Sequence, residues 1–100
     1  MNPRDVTSPQ DRWRLIDVLH ETPDWAMAVG RWRNDDGTWR PVLGQRWNGS
    51  ADSKGTPTAH GWAIWFVVPD ETYDLFLESN FIPPAKRAFV REILEIPEAA

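Results

Sequence analysis

The stretch that most constrains this chain is His60–Val68, HGWAIWFVV, which holds no acid, lysine or arginine. In an extended conformation Trp62, Ile64, Phe66 and Val68 point to one side, and Ala63, Trp65 and Val67 to the other. A strand apolar on both faces belongs in the middle of a sheet, with cover on each side. Pro69 ends it, because proline has no N–H to give to a ladder. The expected core is Trp62, Ile64, Phe66 and Val68, joined by Phe89 and Ile93.

The flanking segments supply candidate partners. Met1–Thr7 shows no apolar period and is expected to be a loose arm. Ser8-Pro9-Gln10-Asp11 reads as a helix start, with Ser8 as cap and Pro9 in the first turn. Trp13, Ile16 and His20 then fall on one helical stripe, which predicts a helix as far as about Glu21, before Thr22-Pro23.

Asp24–Trp47 predicts a hairpin. Asn34-Asp35-Asp36-Gly37 is turn chemistry, and a loop of Asp35, Asp36 and Gly37 sets Asn34 opposite Thr38. That register puts Trp25 against Trp47, Val29 against Leu43 and Arg33 against Trp39 on one face. On the other it puts Ala26 against Arg46, Ala28 against Gly44, Gly30 against Val42 and Trp32 against Arg40. The bulky residues thus separate from the small ones, as a consistent register requires.

Asn48–Ala59 is a long polar loop, and a loop of that length in a small domain is functional or mobile. Asp70 is placed to cap a second helix that ends at Ser79-Asn80. Pro83-Pro84 opens a third, through about Leu94, with Ala85, Ala88, Phe89, Ile93 and Ile96 on its apolar face and Pro97 closing it. The expected fold is α+β: a three-stranded antiparallel sheet with one N-terminal and two C-terminal helices, in the order α-β-β-β-α-α. One hundred residues suit a single domain.

Composition narrows the function. The chain carries eleven basic and fifteen acidic side chains, a formal charge of −4, and the acidic excess lies in residues 51–100. That disfavours simple wrapping of nucleic-acid backbone, which needs a net basic footprint. There is no cysteine, so no disulfide framework and no thiolate chemistry are expected. No signal-peptide core is evident and no apolar run approaches the ~18 residues of a membrane span, so the chain reads as cytoplasmic, with no membrane partner.

Catalytic signals are thin. His20 and His60 stand forty residues apart in sequence and show no metal-ligand spacing, so neither a metal nor a cofactor is expected. Gly49–Thr56 has the look of an anion cradle, but its lysine precedes the glycine and the loop leads into a strand rather than a helix. The acids Asp70, Glu71, Asp74 and Glu78 form a strip that reads as a solvated helix face or as a contact for a basic partner.

The compositional outlier is tryptophan, seven in all. Trp25, Trp32, Trp39 and Trp47 lie on the hairpin, interleaved with Arg31, Arg33, Arg40 and Arg46. These residue types dominate protein–protein hot spots. The expectation is therefore a non-enzymatic binding or regulatory module acting through the Trp/Arg sheet face, on a protein partner or a second copy. Its surface is expected to be the small-residue face: Ala28, with Trp32, Arg40 and Arg46 on the rim and Trp65 extending it. Two alternatives remain: stacking of single-stranded nucleic acid on the same hairpin, and a small enzyme using His60.

Overall fold

The structure, a computed structural model, describes residues 1–50 and 52–95. Among the described residues six strands run in chain order as β1 (Trp13–Glu21), β2 (Trp25–Arg33), β3 (Trp39–Trp47), β4 (Thr58–Ala59), β5 (Trp62–Ala63) and β6 (Phe66–Val67). Two helices follow, α1 (Tyr73–Leu77), which a 3-10 turn at Asp70–Thr72 leads into, and α2 (Pro84–Leu94). Four strands form one antiparallel sheet in the order β1-β2-β3-β6, while β4 and β5 make a separate small hairpin. The class is α+β, with four strands in the main sheet where three were expected.

The hairpin forms in the expected register, from Trp25 opposite Trp47 to Arg33 opposite Trp39. Its turn closes with Asn34 N–H donating to Thr38 O at 2.7 Å and Gly37 N–H to Asn34 O at 3.0 Å. Gly37 sits at φ +88°, a backbone conformation that glycine adopts without steric cost.

The first expected helix is instead β1. It pairs with β2 along its length, with bulges between Leu15 and Asp17 and between Val18 and His20. Each bulge adds a residue to one strand and resets the alternation of side chains. The apolar residues therefore recur at intervals that imitate a helical stripe. The bulges also blunt an exposed sheet edge, and Lys86 Nζ donates to Val18 O there at 2.9 Å.

His60–Val68 is not a central strand. The backbone turns at His60 and Gly61, both with positive φ, and only Phe66–Val67 joins the main sheet, at its edge. Of the expected core, Val68 is buried, but Trp62 and Phe66 are 67% and 51% exposed and Phe89 is 44% exposed. The strand buried on both faces is β2, where Ala26 to Gly30 are all buried.

Odd-numbered β2 and β3 residues meet the helices: Met27, Val29 and Leu43 pack with Tyr73, Leu77, Ile82 and Val90. Even-numbered ones meet a second core of Ala26, Ala28 and Val42 with Val6, Trp13, Ala63 and Trp65. The N-terminal arm is therefore docked rather than loose, with Val6 and Pro3 buried. On α2 the buried positions are Val90 and Arg91, with Ile93 and Leu94 partly buried, so the inward face is rotated from the expected stripe. Ala51, Ile96 and Pro97, which carried part of the loop and helix expectations, lie outside the described residues. No described helix is long and apolar enough to cross a membrane.

Candidate binding surface

The small-residue face is closed. Ala26 and Ala28 are fully buried, and the indoles of Trp13 and Trp65 lie over them, stacked at 6.1 Å between centroids. The small residues make room for these rings: a Cβ on Gly30 would stand 2.4 Å from Trp13 Cη2, and one on Gly44 would stand 3.2 Å from Trp65 Cβ. Trp65 Nε1 donates to Val6 O at 2.8 Å, fastening the N-terminal arm.

The five residues expected to form an open surface are thus placed otherwise. Ala28 and Trp65 are core, and Trp32 is half-buried against the same core. Arg46 is 1% exposed; its Nη1 donates to Ile64 O at 2.7 Å and its Nη2 to Lys54 O. It clamps the polar loop to the sheet, and burial lowers its pKa from the ordinary arginine value. Arg40 is half-buried, donating from Nε to Asn34 Oδ1 at 3.1 Å and pairing with Asp70 at 3.3 Å. A dimer through Ala28 therefore has no open face to form on.

Two of the exposed aromatics, Trp47 and Phe66, lie on the helix side of the sheet, at one end of it, while Trp62, 67% exposed, stands apart on the β4–β5 hairpin. Trp25 opposes Trp47, and Phe66 opposes Gln45, so these four side chains share one face. With Arg46, Thr56 and Pro57 they line a groove of about 290 Å3. Trp47 is 60% exposed and Phe66 51%. Behind the groove Trp25 meets Phe81 edge-on at 5.5 Å, and His20 lies 5.4 Å from Trp25 and 5.3 Å from Phe81. His20 Nδ1 is 2.9 Å from Phe81 O; a carbonyl only accepts, so Nδ1 carries the proton. These contacts hold Trp25 upright as the groove wall.

The turn end of the same face is basic. Arg14 stands directly opposite Arg31, and Arg33 follows two residues along β2; all three are exposed. The Arg14 guanidinium lies over the Trp39 ring, 4.5 Å from its centroid. Among the described residues no acid lies within ion-pair distance of these three arginines. The acidic strip is occupied differently: Asp70 pairs with Arg40, and Asp74 and Glu78 both pair with Arg91.

His60 sits at the exposed tip of the β4–β5 turn, at φ +50°. It lines a cleft of about 500 Å3 with Ser8, Asp11, Arg12 and Trp62, and makes no hydrogen bond to a described residue. Its positive φ is what a two-residue hairpin turn demands. In the polar loop Ser53 Oγ accepts from Gly55 N–H at 3.1 Å, and Lys54 Nζ, the lysine of the expected anion cradle, donates to Gly61 O. No group of three or more His, Cys, Asp or Glu able to hold a metal ion occurs among the described residues.

The tryptophans and arginines stand out in the sequence, but the face expected to be open is buried, and Gln45 and Phe66 were not among the residues expected at a surface site. The signal for Phe66 was available in the parity of Trp65, which packs inward and turns its neighbour out. The chain matches no protein-family model, no curated protein and no solved structure.

Proposed function

We propose that the protein is a non-enzymatic binding module that engages a protein partner through the uncovered helix-side end of its sheet. The observation that carries this reading is the groove between Trp25, Trp47 and Phe66, with two of its aromatic walls more than half exposed. Large aromatics left in water on a small domain mark interaction sites. Tryptophan is also among the residues that most often anchor protein interfaces. A groove of about 290 Å3 lies at the bottom of the range for buried small-molecule sites. It suits one or two side chains of a partner. Nucleic acid fits less well, because the net charge is −4 and the groove's one basic residue, Arg46, is buried in a structural clamp.

A photo-crosslinking residue at Phe66 tests the reading, with the same residue at Glu92, an exposed position on α2, as control. Position 66 should capture one discrete protein from the source cell, and position 92 should not. Equal capture at both positions, or none at 66, removes the groove as the site. Sedimentation of the purified protein identifies the case in which the captured partner is a second copy.

A further inference from the structure

We infer that Arg14, Arg31 and Arg33 form a second docking surface, for an extended acidic segment of a protein partner. This surface lies at the opposite end of β2 from the aromatic groove, about 20–25 Å away at the rise of a strand, and does not depend on that groove. Three observations carry the inference. First, Arg14 and Arg31 are direct cross-strand neighbours, and Arg33 shares their face. Like charges placed opposite one another destabilise a sheet. Second, the chain has acids to spare, fifteen against eleven bases, and pairs Arg4, Arg12, Arg40, Lys86 and Arg91 with carboxylates. That no described acid comes within ion-pair distance of Arg14, Arg31 or Arg33, with Asp35 taken by Arg12, is therefore a property of the place, not of the composition. Third, all three arginines are exposed to solvent, so an approaching anion can reach them.

Charge complementarity sets the partner's chemistry, and geometry narrows it. Arg31 and Arg33 repeat at about 6.6–6.8 Å, the interval at which an extended peptide presents every second side chain. Alternate acidic residues of such a peptide meet both guanidinium groups, while Arg14 reaches the segment from the neighbouring strand. A polynucleotide is disfavoured by the net charge of −4 and because the aromatic ring beside the patch, Trp39, is already covered by Arg14. The acidic strip of a second copy is a poor candidate, because its Asp70, Asp74 and Glu78 are paired internally.

The test uses the whole chain and a fluorescently labelled alternating Glu-Ser peptide of about ten residues, long enough to span the patch. Anisotropy should show binding that weakens as salt rises, and no binding of the matching Gln-Ser peptide. The double variant Arg31→Gln/Arg33→Gln should bind about tenfold more weakly, the loss of two exposed ion pairs. Its thermal midpoint at low salt should be no lower than that of the wild type, since it removes an unneutralised like-charge contact. If it is lower, the single variant Arg33→Gln decides, because Arg33 faces Trp39 rather than an arginine. Equal binding by wild type and variant overturns the inference. So does tighter binding of a single-stranded oligonucleotide than of the peptide, or failure of the wild type to bind the peptide.

Discussion

Gly30 and Tyr73 show how single atoms set the limits of this fold. The Cα of Gly30 lies under the Trp13 indole, and an added Cβ would also stand 2.7 Å from Arg14 O. A backbone oxygen in a paired strand cannot give way cheaply, so Gly30→Ala is expected to cost about 1–3 kcal/mol as overpacking. Urea unfolding measures it, and a loss under about 0.5 kcal/mol would mean that the indole moves freely. Tyr73 is 6% exposed, and its hydroxyl sits beside the Leu43 backbone and the Asp70 carboxylate without closing a well-formed hydrogen bond to either. Burial, the largest cause, raises its pKa above the ordinary 10.0. A folded-state pKa above the unfolded one gives stability that is complete below about pH 10 and is lost as pH climbs through the folded value. Tyr73→Phe should therefore be near neutral in stability at pH 7, since it removes a buried hydroxyl that closes no well-formed hydrogen bond, and should lessen the alkaline loss. Tyr73 is the chain's one tyrosine, so tyrosinate absorbance reads it directly. A midpoint at or below the ordinary value would contradict the burial.

At the scale of elements, legibility followed regularity. The β2–β3 hairpin was readable because a turn with glycine at its left-handed position fixed a register that nine alternating residues on each side confirm. β1 was not, because two bulges within nine residues broke the period of two and left Trp13, Ile16 and His20 at helical spacing. His60–Val68 misled for another reason. Its apolar side chains answer to separate neighbours: Ala63 and Trp65 to the small-residue face, Val68 to the helix core, and Trp62 and Phe66 to solvent. The small-residue face was recognised but not its cover, since the covering rings come from Trp13 and Trp65, far apart in sequence. The clamp at Arg46 was likewise hidden, because its acceptors are backbone carbonyls that no side-chain pattern announces. Arg46→Met tests that clamp. Methionine replaces a buried charge that has no carboxylate partner among the described residues, which offsets part of the lost hydrogen bonding, so the global cost should stay below about 2 kcal/mol. The loop should respond more. Trp47 and Thr56 exchange backbone hydrogen bonds at 2.8 and 3.0 Å where the loop returns to the sheet. Hydrogen exchange at these two amides should accelerate in the variant while that of Val29 and Leu43 stays protected. Unchanged exchange at Thr56 would show that the loop holds without the arginine.

Taken as a whole, the molecule is a sheet with a core on each face, and β2 and β3 belong to both. One core is built on helices from the second half of the chain and the other on the N-terminal arm and the β4–β5 layer. Neither layer has another place to bury its apolar side chains, and each keeps the central strands dry on one side. The two cores should therefore unfold together, although they share few sequence neighbours. Trp65→Ala removes a ring that is 4% exposed and stacked on Trp13, which should cost about 3–5 kcal/mol. Leu77→Ala, fully buried on the opposite face, should cost about 2–5 kcal/mol. Either loss is a large share of the 5–15 kcal/mol margin usual for a domain. In thermal unfolding each variant should lower the midpoint of one transition, seen alike by tryptophan fluorescence and far-ultraviolet dichroism. If the layers were separable, Trp65→Ala would instead split the curve, with fluorescence changing first as the N-terminal side peels away and the helical signal persisting above it. Coincident curves for both variants would establish that the shared strands make one cooperative unit. The aromatic groove at the end of that sheet then stays rigid for as long as either core does.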